Sequence, residues 1–175
     1  MIYGTKVRLR AIERDDIPRF VKWFNDPEMR HHLLMYRPLS LAQEEKWFEQ
    51  HAELDPAEHI FGIETQDGVH IGNIGLHDIN WKNRGTELGI VIGEKDYWNQ
   101  GYGTDAIVTL LGYAFGELNL RRVFLRVDAD NSRAIRCYEK CGFRQEGTLR
   151  DAVFTQGRYK DQHVMSILQS EFETT

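Results

Sequence analysis

With 175 residues, 41% of them apolar and 28% charged, the chain can bury one sizeable core and reads as a single unit without a second domain. Its formal net charge of −5 gives no basic surplus to draw nucleic acid or an anionic membrane, which leaves small molecules or proteins as partners. Residues 1–10 alternate charge with apolar side chains in place of a signal-peptide core, and no apolar run nears the length of a membrane span, so a cytoplasmic protein is expected.

In chain order, Val7, Leu9 and Ala11 alternate with Lys6, Arg8 and Arg10 and predict a half-buried first strand. Asp15 and Asp16 start a helix whose apolar positions Ile17, Phe20, Val21 and Phe24 fall at helical spacing, and Asn25-Asp26-Pro27 stops it. Ser40 and Gln43 form a capping box for a second helix that carries Leu41, Trp47 and Phe48. Strands at 60–65 and 69–77 flank the Gln66-Asp67-Gly68 turn as an antiparallel hairpin, and a third strand lies near 86–92. A glycine-spaced stretch then opens a helix with one apolar stripe, Ile107, Leu110, Leu111, Ala114 and Leu118.

After a strand at 123–127, Asn131 caps a short helix bearing Ala134, Cys137, Tyr138 and Cys141, and Gly142 ends it in a left-handed conformation. A terminal hairpin of 144–154 and 162–168 turns through Gln156-Gly157. The order β-α-α-β-β-β-α-β-α-β-β is an α/β layout with a largely antiparallel sheet of about seven strands and four helices. Cys137 and Cys141 lie four apart on one helix with no histidine placed to complete a zinc site, so reduced thiols and no metal are expected.

Two stretches carry chemistry. In Tyr97-Trp98-Asn99-Gln100-Gly101-Tyr102-Gly103-Thr104-Asp105-Ala106, the glycines let the main chain turn tightly while the free N–H groups of a helix start face an anion, as a diphosphate-bearing cofactor requires. The same Gly101-x-Gly103-x-x-Ala106 spacing fits a dinucleotide fingerprint, with Asp128 roughly 20 residues on, at the end of the next strand, as the ribose acid. Against that reading, three or four strands precede the loop and the chain ends in a hairpin. The second stretch runs Asn131-Ser132-Arg133-Ala134-Ile135-Arg136-Cys137-Tyr138-Glu139-Lys140-Cys141-Gly142-Phe143.

Together these stretches resemble the two strongest motifs of the GNAT superfamily of acyl-CoA-dependent N-acyltransferases, a Gln/Arg-x-x-Gly-x-Gly/Ala loop and an Asn-x-x-Ala-x-x-x-Tyr-x-x-x-Gly-Phe helix. Arg8-Leu9-Arg10, residues 23–27, Glu146-Gly147-Thr148-Leu149-Arg150-Asp151 and residues 157–161 are similar to the branch that includes ribosomal-protein N-terminal acetyltransferases, a branch that also acts on small amines. Trp98 departs from the pattern where the loop often has Gln or Arg, removing one polar phosphate contact but not the backbone cradle.

The resemblance implies a twisted, mostly antiparallel sheet with splayed central strands and acetyl-CoA as cosubstrate. Ile90, Val91 and Ile92 would offer main-chain groups to the pantetheine arm in the splay. Asn99, Gln100, Gly101, Tyr102, Gly103 and Thr104 would hold the pyrophosphate, and Asn131 and Ala134 would meet the arm at the head of the next helix. Tyr138 would serve the thiolate as acid and Glu87 the amine as base, directly or through water, with His77 and Asp78 as weaker bases. The Val91 N–H is the first choice as oxyanion donor, and direct attack is preferred over a covalent intermediate on Cys137.

Each assignment has a plainer alternative: turn and cap residues for the loop, a core tyrosine for Tyr138, a strand-edge charge paired with an arginine for Glu87. A non-catalytic acyl-CoA sensor is the rival function. Residues 29–37, including the His31-His32 pair, Met35 and Tyr36, would wall the acceptor site, whose guest is a small-molecule amine or a protein N-terminus. Many relatives pair, which allows a homodimer.

Overall fold

The computed structural model describes all residues except His31, His32, Leu34, Met35, 52–54 and 173–175. Its sheet has eight strands in the order β1-β2-β3-β4-β5-β6-β8-β7: β1 (Ile2–Tyr3), β2 (Val7–Arg10), β3 (His59–Thr65), β4 (His70–Asn80), β5 (Gly85–Ile92), β6 (Arg122–Asp128), β7 (Arg144–Thr155) and β8 (Arg158–Leu168). Every neighbouring pair is antiparallel except β5 and β6. The helices are α1 (Ile17–Asn25), α2 (Pro27–Arg30), α3 (Leu41–His51), α4 (Tyr102–Gly116) and α5 (Ser132–Lys140). No helix among the described residues is long and apolar enough to cross a membrane.

The sheet therefore has eight strands where the sequence predicts about seven, and five helices stand among the described residues where four are predicted. The additional strand, β1, is a two-residue edge folded back on β2, too short to show a period. Pro27 stops α1 but also starts α2, because its fixed φ suits a first helical position. Ala11 lies beyond the end of β2. On α1 the third fully buried side chain is Trp23, whereas Phe24 is only half-buried.

The main core fills the space between α4 and one sheet face, with Ile107, Leu110, Leu111 and Ala114 of α4 against Val7, Leu9, Ile63, Ile74, Leu76, Leu88, Val123 and Leu125. A smaller cluster of Ile17, Phe20 and Trp23, joined by Trp47 and Phe48, packs α1 with α3. Beside that cluster lies a charged network. Arg10 donates to both Asp16 oxygens at 2.7 and 2.8 Å and to Glu64 at 2.7 Å, and His70 Nδ1 lies 2.9 Å from Asp16. Burial opposes these charges, yet the ion pairs hold Asp16 and Glu64 below the usual carboxylate range, while burial depresses the His70 imidazole.

At the other end of the sheet, Asp105 in the first turn of α4 accepts the amides of Thr5, Lys6 and Val7 at 2.8–3.1 Å. A Cβ on Gly4 would lie 2.3 Å from Thr109 Oγ1, so this glycine lets the chain start press against α4. These contacts fix the helix end that faces the candidate site.

Candidate active site

The defining feature of the site is where β5 and β6 stop being neighbours. Their parallel pairing covers Gly85↔Arg122, Thr86↔Val123 and Glu87↔Phe124 and goes no further, although both strands continue to Ile92 and Asp128. Beyond Glu87 the strands part, and the facing backbone groups have no ladder partner. This is the splay expected between these two strands.

Register decides which groups face it. Gly93 N–H donates to Ile71 C=O at 2.8 Å, and antiparallel bonded pairs recur every second residue, so Val91 exchanges bonds with Asn73 on β4. The Val91 N–H is thus turned away from the slot, correcting its assignment as oxyanion donor. Ile90 and Ile92, of opposite parity, turn their main-chain groups towards it, the Ile92 carbonyl being engaged by the Trp98 indole.

The glycine loop closes the wide end of the slot. Asn99 and Gly101 take positive φ values of 59° and 85°, and Gly101 occupies the N-cap of α4 with no side chain to cap the amides of Tyr102, Gly103 and Thr104. A backbone cradle results, open to an anion. Gln100 contributes main chain only, since its side chain bonds back to the Asp96 carbonyl and its own carbonyl accepts Lys6 Nζ at 2.9 Å. Trp98 donates its indole N–H to Ile92 C=O at 2.8 Å and carries the Arg133 guanidinium at 3.8 Å over its ring. The cation lacking at position 98 is therefore supplied from α5.

Across the slot, Asn131 Oδ1 accepts the Ala134 amide at 3.1 Å and starts α5, and Gly142, at φ 90°, ends that helix region. A cleft of about 600 Å³ opens here, lined by Pro27, Glu28, Trp98, Asp130, Asn131, Ser132, Arg133 and Gln156. Cys137 faces the loop, its Sγ 3.4 Å from Thr104 Oγ1. The Cys141 thiol beside it, with help from Thr104, lowers Cys137 to about 6 against the opposing effect of burial, while Cys141 is raised in return.

Tyr138 packs on the α4-side core, its ring centroid 6.0 Å from that of Phe143. Burial first, then the neighbouring thiols, holds its phenol well above the ordinary range, and none of the described hydrogen bonds uses its hydroxyl. Glu87 stands on the opposite face, because Thr86 and Leu88 on either side are buried in the sheet. Both of its oxygens are held by Arg126 at 2.8 Å. His77 is the cross-strand partner of Glu87, with Nδ1 2.6 Å from Glu58 Oε2.

The structure thus gathers the glycine loop, Asn131 and Ala134 at the slot, packs Tyr138 of the same helix on the core, and sets Glu87 and His77 on the opposite face of the sheet. His31, His32 and Met35 lie outside the described residues, and Tyr36 is exposed. Sequence reasoning does not reach Arg126, Arg133 or Glu58. Arg133 carried a signal, a cation two places after the Asn131 cap, whereas Glu58 carried none, since its pairing depends on the bend of β4 beyond His77.

A backbone cradle open to an anion, leading into a slot lined by main-chain groups, is the arrangement that the resemblance to acyl-CoA-dependent N-acyltransferases implies. The comparisons agree. The model of the GNAT acetyltransferase domain matches residues 6–144. The spermidine N(1)-acetyltransferase of Vibrio cholerae serotype O1 is 34% identical over 170 residues, covering 97% of this chain and 96% of that protein. Its counterpart in Escherichia coli K12 is 30% identical over 166 residues, covering 95% and 88%. Among solved structures, spermidine N-acetyltransferase from Vibrio cholerae in complex with CoA and spermine superposes with a TM-score of 0.90 at 32% identity, covering 96% of this chain and 98% of that one. The chain belongs to the GNAT acetyltransferase family. It is an acetyl-CoA-dependent enzyme that transfers the acetyl group to an amine.

Proposed function

We propose that the acceptor is a small alkyl polyamine and that its primary amine attacks acetyl-CoA directly in a ternary complex. The observation that supports this reading is the two-sided site: main-chain groups of the parted strands on one side, and the carboxylates of Glu87 and Glu58, which would draw a cationic amine, on the other. The relatives named for spermidine support the same substrate class. A protein N-terminus is the competing acceptor within this family.

In this reading Tyr102, Gly103 and Thr104 amides hold the pyrophosphate with Arg133 beside them, and the Ile90 and Ile92 main chain and Asn131 align the pantetheine arm. The Ile90 N–H meets the oxygen that becomes negative as the amine adds to the carbonyl carbon. Collapse breaks the C–S bond, and Tyr138 donates its hydrogen bond or proton to the departing sulfur. Glu87, ion-paired to Arg126, adds carboxylate charge to the face from which the cationic acceptor is drawn.

A primary alkylamine of pKa about 10.4 must lose a proton near pH 7 at roughly 4 to 5 kcal/mol, so proton acceptance is a substantial part of the task. A thiol-release assay with acetyl-CoA tests the reading against spermidine, spermine, peptides with free N-termini and amino sugars. Turnover of the polyamines at kcat/KM at least tenfold above the peptides is expected. Turnover confined to peptides or to amino sugars would overturn the polyamine assignment.

A further inference from the structure

Beyond Glu87, we propose that His77 is the group that accepts the amine proton, with Glu58 as its positioning residue. The inference rests on the acetyl-transfer reading above and names the base within it.

Three observations converge on the imidazole. First, its orientation is fixed: Nδ1 lies 2.6 Å from Glu58 Oε2, and the other Glu58 oxygen accepts the Asp78 amide at 3.1 Å. Glu58 thus grips two consecutive residues of β4, where the strand bulges and Asp78 adopts φ 50°. A carboxylate on Nδ1 places the proton there and leaves the Nε2 lone pair outward.

Second, Nε2 lies over β4 and β5 at the level where β5 leaves β6. A Cβ on Gly75 would lie 3.1 Å from Nε2, and one on Gly89 would lie 3.0 Å from it. These two glycines are cross-strand partners, and their missing side chains let the ring lie across β4 and β5. Gly89 comes two residues after Glu87, the last residue of β5 paired to β6, so Nε2 lies over the strand that borders the slot, level with the start of the parting. Third, Nε2 takes part in none of the described hydrogen bonds, whereas both oxygens of Glu87 are occupied by Arg126. An imidazole nitrogen with an unengaged lone pair can accept a proton directly, whereas both oxygens of the carboxylate are already engaged by the guanidinium.

The groups that face His77 are Glu58 from the segment before β3, Glu87 from β5, Arg126 from β6 and Asp78 from its own strand. The step balances as follows. The ammonium first passes a proton to Nε2, which His77 releases to solvent, and the freed amine nitrogen then bonds to the thioester carbon. As the C–S bond breaks its electrons leave on sulfur, sulfur takes a proton from Tyr138, and the second N–H proton leaves the nitrogen to solvent, from which Tyr138 is reprotonated.

The test measures kcat/KM for spermidine from pH 6 to 10 with the full chain. In His77→Gln the value at pH 7.5 should fall about 10²-fold or more, and the gap should narrow towards pH 10, where the amine is already neutral. Glu58→Gln should fall about tenfold with a shift of the same limb. Coenzyme A affinity by calorimetry should stay within twofold in both. A His77→Gln enzyme within threefold of wild type at every pH, or one reduced by the same factor at every pH, overturns the assignment. Should His77→Gln lose coenzyme A binding, Glu58→Gln decides, and an unchanged pH profile there overturns it. Wild type that binds coenzyme A but acetylates no amine overturns the transfer reading, and the base with it.

Discussion

Replacing Tyr138 by Phe separates chemistry from packing. The ring packs on the main core beside Phe143, and its hydroxyl makes none of the described hydrogen bonds, so the variant keeps the apolar contact and loses no polar partner. Stability should change by less than about 1 kcal/mol. Catalysis should change far more. A thiolate whose conjugate thiol has the ordinary pKa of about 8.5 cannot fully deprotonate a phenol of about 10 without roughly 2 kcal/mol, and burial raises the Tyr138 phenol further. The hydroxyl therefore acts as the charge grows on sulfur, as a hydrogen-bond donor ahead of full transfer.

General acids of this kind contribute about 10²- to 10⁴-fold, or roughly 3 to 5 kcal/mol of barrier. Steady-state thiol release at saturating amine should thus show kcat lowered at least 10²-fold, with coenzyme A affinity within twofold and Tm unchanged or slightly higher. An unaltered kcat would refute the acid role. So would a loss matched by equal losses in affinity and Tm, which is the signature of a core tyrosine.

Other outcomes follow from the same geometry. In Gly93→Ala the added carbon would lie 2.1 to 2.5 Å from the Trp23 indole, which is fully buried, so melting should report at least about 2 kcal/mol of destabilisation, or roughly 4–8 °C; a Tm within 1 °C of wild type contradicts that packing. Acidification should weaken the fold in two stages, because the unfolded chain binds protons that the folded one resists. The first stage lies below about pH 6.5, where unfolded histidine protonates but buried His70 resists, and the second below about pH 4, where Asp16 and Glu64 are neutralised. Melting curves from pH 8 to 3 check this, and Asp16→Asn should flatten the lower stage. Cys137→Ala should retain more than half of wild-type kcat, since the thiol faces Thr104 of the loop and direct attack needs no acyl-enzyme; complete loss with normal coenzyme A binding would point to a covalent route.

Local chemistry made much of this protein legible from its sequence. The Asn131 cap, the left-handed Gly142, the hairpin turn at Gln156-Gly157 and the glycine cradle each depend on residues within a few positions of one another. Period and turn preference encode such features directly. Helical spacing likewise marked α1 and α4 for burial, although it favoured Phe24 over Trp23, because only the glycine surface at position 93 makes room for the indole.

Tertiary structure alone decided what the site's side chains do. The parting of β5 from β6 after Glu87, the turning of the Val91 amide towards β4, and the hold of Arg126 on Glu87 all follow from strand order and register, which pair residues far apart in the chain. Glu58 meets His77, and Arg133 meets Trp98, for the same reason. Backbone hydrogen bonding fixes register through the whole sheet at once, so a one-residue slip would reverse every face, and no local stretch of sequence carries that information.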